Sequence, residues 1–161
     1  MTINAKLNRL IIKHLPPTPQ EFVELRDAAG WGKVSLEMAT QSLQHSLFHV
    51  TVRLSVELQS KSQSMAHDAN NESLIAMGRV IGDGFLFFYI QDIVVAPNYQ
   101  GQGLGHIVMT EIEDYLQVAA KPGATIGLFS AQGKENFYAR YGYQKREGNS
   151  LGLGMCRFVS I

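Results

Sequence analysis

The sequence predicts an α/β domain of about seven strands and about four helices. Three observations carry this. Phe48, Val50, Val52, Leu54, Val56 and Leu58 alternate with the polar Thr51, Arg53, Ser55 and Glu57, which is the period of a strand. Leu104, Ile107, Val108, Ile112, Tyr115, Leu116 and Ala119 fall on one helical face. Strand-like and helix-like segments also interleave along the chain, as they do when helices cover a sheet.

The elements follow in order. Residues 9–15 are apolar and rich in branched side chains, so they predict a first strand, ended by Pro16 and Pro17. Thr18, Pro19 and Glu21 open a helix: Thr18 caps it, Pro19 suits its first position and Glu21 completes a capping box. Phe22, Leu25 and Ala29 make its apolar stripe, and Gly30 stops it. A second helix starts after Ser35, with Leu36, Ala39 and Leu43 at helical spacing. Residues 48–58 are the alternating strand, and the polar run 59–72 is a surface loop. Residues 74–81 predict a third strand, Gly82-Asp83-Gly84 a tight turn, and residues 85–95 a long central strand. After Pro97 comes a glycine-rich loop and a helix to about Ala119. Residues 125–129 predict a fifth strand and residues 134–141 a short helix closed by Gly142. Two last strands are expected near residues 143–146 and 151–159.

With 161 residues, no internal repeat and no linker, a single domain over residues 1–161 is expected. Apolar residues make up 45% and charged residues 17%, enough apolar material for a core. Lys plus Arg balance Asp plus Glu, 14 − 14 = 0, so the basic excess of an electrostatic nucleic-acid binder is missing. The lone Cys156 permits no internal disulfide and suits a reducing compartment. The apolar run at Leu10 is too short for a signal peptide, and no stretch reaches membrane-spanning length. A cytoplasmic protein that binds neither nucleic acid nor membrane is the expectation.

The chemistry points to Gln100, Gly101, Gln102, Gly103, Leu104 and Gly105, a loop between a strand and a helix. Such a loop turns several N–H groups toward one point, and the helix start adds a partial positive charge. Together they suit a diphosphate. A P-loop would need a Lys-Ser/Thr pair after its second glycine, where Gly105, His106 and Ile107 follow instead, and the dinucleotide fingerprint would need glycine in place of His106.

Gln100, Gly103 and Gly105 match the acetyl-CoA signature Q/R-x-x-G-x-G/A of the GNAT superfamily of N-acetyltransferases. The upstream run 92–97 and the downstream Phe137-Tyr138…Gly142-Tyr143 also resemble that superfamily, as does the element order. The resemblance implies a GNAT fold with a mixed central sheet and acetyl-CoA as cosubstrate; a homodimer, common in that superfamily, is the expectation, and no metal is expected. It implies that Ile93, Val94 and Val95 lie along the pantetheine arm, where a backbone N–H holds the developing oxyanion. It implies that Tyr138 protonates the departing thiolate; a cofactor-packing ring is the other reading. The amine, with pKa near roughly 10.4, needs a base. Many relatives carry Glu where Gln91 stands, and glutamine cannot titrate. Asp92, which alternation turns to the other face, is either that base or a structural carboxylate. Ala131 replaces an Asn that contacts CoA in many relatives, leaving Lys134 or backbone for that contact; a solvated charge is the plainer reading of Lys134.

Two branches compare for the acceptor. Residues 89–105 resemble glucosamine-6-phosphate N-acetyltransferases, yet their acids at the positions of Gln91 and Phe129 are replaced. The C-terminal part resembles the arylalkylamine type, so a small primary amine is the expected acceptor. Trp31, Tyr89, Gln91 and Phe129 are its candidate contacts, while Phe85 and Phe88 are expected in the core. A protein lysine, an amino sugar, or a sensor domain without turnover are the alternatives. His45 and His49 lack a third metal ligand, His106 reads as a surface histidine, and Cys156 as a small buried hydrophobe.

Overall fold

The alternating run from Phe48 forms a strand whose inward residues Val50 and Val52 are fully buried, as its period requires. The structure is a computed structural model and describes residues 10–55, 72–149 and 151–158. The described residues gather into two compact units, Met1–Gly127 and Leu128–Ile161.

In the first unit the elements are β1 (Leu10–Lys13), α1 (Pro19–Ala28), α2 (Leu36–Gln44), β2 (Phe48–Ser55), β3 (Glu72–Gly82) and β4 (Phe87–Val95). A 3₁₀ turn (Pro97–Tyr99), α3 (Leu104–Ala119) and β5 (Thr125–Gly127) follow. The sheet is five-stranded in the order β1-β2-β3-β4-β5. Its first three pairings are antiparallel and β4–β5 is parallel, so the sheet is mixed. The parallel pairing begins at Phe87↔Thr125 and ends at Tyr89↔Gly127.

Helices cover both faces of this sheet. Met77 and Val94 join Phe22, Leu25, Ala39 and Leu43 in one buried cluster, so α1 and α2 lie on that face. Gly78, one residue on, faces the other way: a Cβ there would meet Val108 Cγ1 at 2.6 Å and Ile112 Cδ1 at 2.9 Å, both on α3. α1 begins as its sequence requires, with Thr18 accepting from the Glu21 N–H and the Glu21 carboxylate accepting from the Thr18 N–H.

The second unit contains α4 (Glu135–Ala139). Phe137 packs edge-on against Tyr138 and Tyr141 there, with ring centroids at 5.0 and 5.8 Å.

Several expectations need correction. Among the described residues, 143–149 and 151–158 contain no strand, so the sheet has five strands and not about seven. Apolar alternation alone does not make a strand without a ladder partner. Phe85 is 84% exposed at the hairpin tip, whereas Phe88 is in the core as expected. Cys156 is exposed rather than buried. Residues 9, 56–71 and 159, part of the expected first strand, second strand, polar loop and last strand, lie outside the described residues.

Candidate functional site

The glycine loop takes its shape from backbone conformations that side chains resist. Gly101 and Gly103 have φ of 72° and 85°, in the left-handed region that favours glycine. A Cβ at either would meet open space, so φ and not crowding is what selects glycine. Gly103 is also the N-cap of α3, with no side-chain cap hydrogen bond. The ladder of α3 begins when His106 and Ile107 donate to the Gly103 carbonyl, at 3.0 and 3.2 Å. Leu104 and Gly105 precede that point, and their N–H groups are the orphans of a helix start. Gln100 and Gln102 turn back, donating to the Val95 carbonyl at 3.1 Å and the Asn98 carbonyl at 3.2 Å. Gln100 thus ties the loop to the end of β4 and Gln102 ties it to the 3₁₀ turn, and no side chain caps the helix start. This fits the diphosphate of a nucleotide-type cofactor.

β4 leads into that loop. Its register against β3 runs Met77↔Val94 and then Arg79↔Gln91, so Asp92 and Ile93 stand opposite the single residue Gly78. That is a β-bulge, and Asp92 at its centre has φ of 55°. Ile93 turns toward α3, where its Cδ1 would lie 2.7 Å from a Cβ on Gly78. Asp92 turns to the opposite face. Arg26 of α1 donates through Nη1 to Asp92 Oδ1, and Arg79 of β3 donates through Nε to Oδ2 at 2.6 Å. The Asp92 side chain is completely buried. Gln91 Nε2 stands 3.5 Å from Oδ1 and is half-buried. The geometry therefore favours the structural reading of Asp92: both oxygens are engaged and no solvent reaches them.

Trp31, 39% exposed, follows α1, and its ring lies under the Arg26 guanidinium at 5.5 Å. Tyr89 is half-buried on β4, and Val94 is buried in the α1/α2 cluster, so Val94 offers only its main chain. In the second unit, Tyr138 is half-buried, Lys134 exposed and Phe129 64% exposed.

The two histidines are used separately. His45 Nδ1 lies 2.8 Å from the Gln41 carbonyl, and His49 Nε2 lies 3.0 Å from the Leu43 carbonyl. Burial holds the His49 pKa below its usual value. Among the described residues no group of three His, Cys, Asp or Glu is placed to hold a metal, and no helix is long and apolar enough to cross a membrane.

Sequence reasoning missed Arg26 and Arg79. They lie 66 and 13 residues from Asp92, and only Arg79, a charge within the apolar stretch 74–81, hinted at a buried partner.

Known proteins agree with this architecture. The model of the acetyltransferase (GNAT) domain matches residues 65–145, half of the chain and parts of both units. The chain is 30% identical over 133 residues to the "Uncharacterized N-acetyltransferase ycf52" of Porphyra purpurea, covering 83% of this chain and 68% of that one. A "Probable Acetyltransferase" of meticillin-resistant Staphylococcus aureus superposes with a TM-score of 0.73 at 29% identity, over 92% of this chain and 99% of that chain. An acetyltransferase of the GNAT family from Streptococcus pneumoniae gives a TM-score of 0.66 at 25% identity, over 93% and 98%. With the domain match over half of its length and a relative of this identity and coverage, the chain belongs to the GNAT family of acetyltransferases.

Proposed function

We propose that this acetyltransferase moves the acetyl group of acetyl-CoA directly to a small primary amine of arylalkylamine type. The observation that carries the cofactor half is the uncapped start of α3 behind Gly101 and Gly103. Gln100, Gly101, Gln102, Gly103, Leu104 and Gly105 hold the diphosphate, and the main chain of Ile93, Val94 and Val95 holds the pantetheine. Acetyl-CoA supplies an activated thioester. A backbone N–H of the β4 segment stabilises the charge that develops on its carbonyl oxygen as the amine attacks. Tyr138 donates a proton to the leaving sulfur, and Lys134 assists the cofactor. Trp31, Tyr89, Gln91 and Phe129 form the acceptor contacts, with Gln91 orienting a water that takes the amine proton. The aromatic rings of Trp31, Tyr89 and Phe129 support an arylalkylamine over a sugar phosphate. We place the protein in the cytoplasm as a homodimer; a monomer mass in equilibrium sedimentation would remove the dimer.

A second reading has its own observation. Gln91 cannot titrate and Asp92 is engaged by two arginines, so β4 presents no free carboxylate. That arrangement also suits a domain that binds acetyl-CoA as a sensor without turnover.

A thiol-release assay across amines, amino sugars and lysine peptides separates these. Turnover on an arylalkylamine, lost by about 10²-fold or more in Tyr138→Phe with coenzyme A binding intact, is the expected result. Binding without turnover on any acceptor favours the sensor. Unchanged turnover in Tyr138→Phe removes that residue from the mechanism.

A further inference from the structure

Asp92 is the only non-glycine residue with positive φ among the described residues, and it sits in the β4 bulge. Left-handed backbone costs an L-residue roughly 1–2 kcal/mol, less for aspartate than for most. Such conformations persist where the surroundings hold them. Here the holders are identifiable. Arg26 and Arg79 pull the carboxylate toward α1 and α2, while Ile93 seats on the α3 face over Gly78.

Both arginines are themselves fixed. Arg79 also donates through Nη1 to the Ser42 carbonyl and to Ser46 Oγ, each at 3.0 Å. Its guanidinium lies 5.7 Å from the Phe22 ring centroid, and that of Arg26 lies 5.5 Å from both Phe22 and Trp31. A buried carboxylate gripped by two anchored forks resists rotation of the peptide unit it belongs to. The next peptide units are those of Ile93, Val94 and Val95.

We propose that Arg26 and Arg79 are positioning residues for acetyl transfer: through Asp92 they hold the β4 bulge and so aim the main-chain groups of Ile93, Val94 and Val95. This rests on the reading of β4 as the strand that receives the thioester. Neither arginine touches substrate, and Asp92 is the pin of the bulge, not the base.

The test uses the full chain. Arg79→Lys keeps the charge but replaces a rigid fork by a single ammonium. Asp92→Asn keeps the size and the tolerance of left-handed backbone but removes the charge. Arg26→Lys serves in place of Arg79→Lys if the latter does not fold. Three quantities are read: kcat and KM with acetyl-CoA and the best amine, coenzyme A affinity by calorimetry, and hydrogen exchange of the amides at 93–95 without ligand. In both variants kcat should fall about ten- to hundred-fold. Coenzyme A affinity should fall by a smaller factor, and the amides at 93–95 should exchange faster. A lower Tm with kcat and exchange at 93–95 unchanged would overturn the proposal and leave a purely stabilising network. Loss of activity in Asp92→Asn alone, together with the acid limb of the pH–rate profile, would overturn it in favour of Asp92 as base. Failure of the wild type to bind coenzyme A sinks the cofactor reading and this one with it, whereas intact binding with unaffected variants sinks this one alone.

Discussion

Single side chains carry unequal weight here, and Gly82 shows why. Its φ is 142°, and a Cβ would stand 2.1 Å from the Phe87 carbonyl oxygen. The clash is with backbone, which cannot swing aside, so Gly82→Ala should destabilise the fold by about 2 kcal/mol, read by urea unfolding. Next to it, the Asp83 carboxylate accepts from the N–H groups of Phe85, Leu86 and Phe87, each at 2.9 Å, and the Phe87 bond leads in lowering its pKa. The turn at Gly82-Asp83-Gly84 was legible in the sequence. The exposure of Phe85 beyond it was not, because apolar character does not reveal that a residue falls on a hairpin tip rather than under a helix.

α1 shows a whole element set by local chemistry and then used at longer range. Its capping box was readable from Thr18 and Glu21 alone. Thr18→Ala removes the acceptor for the Glu21 N–H, and should cost about 1 kcal/mol in thermal or urea unfolding. The same Glu21 carboxylate receives both Arg53 Nη1 and Nη2 from β2, at 2.6 and 2.9 Å. The Arg53 bonds first, and then those from Thr18, lower the Glu21 pKa from 4.5 to about 2 against the opposing effect of burial. A carboxylate depressed in the folded state binds fewer protons there than when unfolded. Its stabilisation is therefore complete above pH 4.5 and lost as pH falls toward about 2. Arg53→Ala should flatten that acid limb, measured as urea midpoints between those pH values. His49 gives the same sign at higher pH. Burial lowers its pKa, so its contribution fades as pH falls below 6.5.

The first unit as a body is a sheet covered on both faces, and Gly78 marks how closely its layers approach. A Cβ there would meet Val108, Ile93 and Ile112 side-chain atoms at 2.6, 2.7 and 2.9 Å. Gly78→Ala should destabilise by about 1–3 kcal/mol, read by thermal unfolding, because three side chains must shift in a packed layer. It should also lower kcat, since Ile93 belongs to the bulge; an unaltered kcat in folded protein would separate packing from β4 geometry. Met109, fully buried on α3, was left out of the stripe read from sequence although its spacing from Ile112 and Leu116 puts it on the same face.

Period, capping chemistry and glycine placement are local properties, so the chain by itself specified most elements, the α/β class, and the loop from Gln100 to Gly105. It also pointed to the family through the spacing of short motifs. The lack of the last two expected strands among the described residues, the exposed Cys156 and the ion pairs of Asp92 depended on partners distant in sequence. A strand requires a neighbour to complete its hydrogen bonds, and a buried carboxylate requires its counter-charges. Folding alone brought Arg26 and Arg79, 66 and 13 residues away in sequence, onto the Asp92 carboxylate.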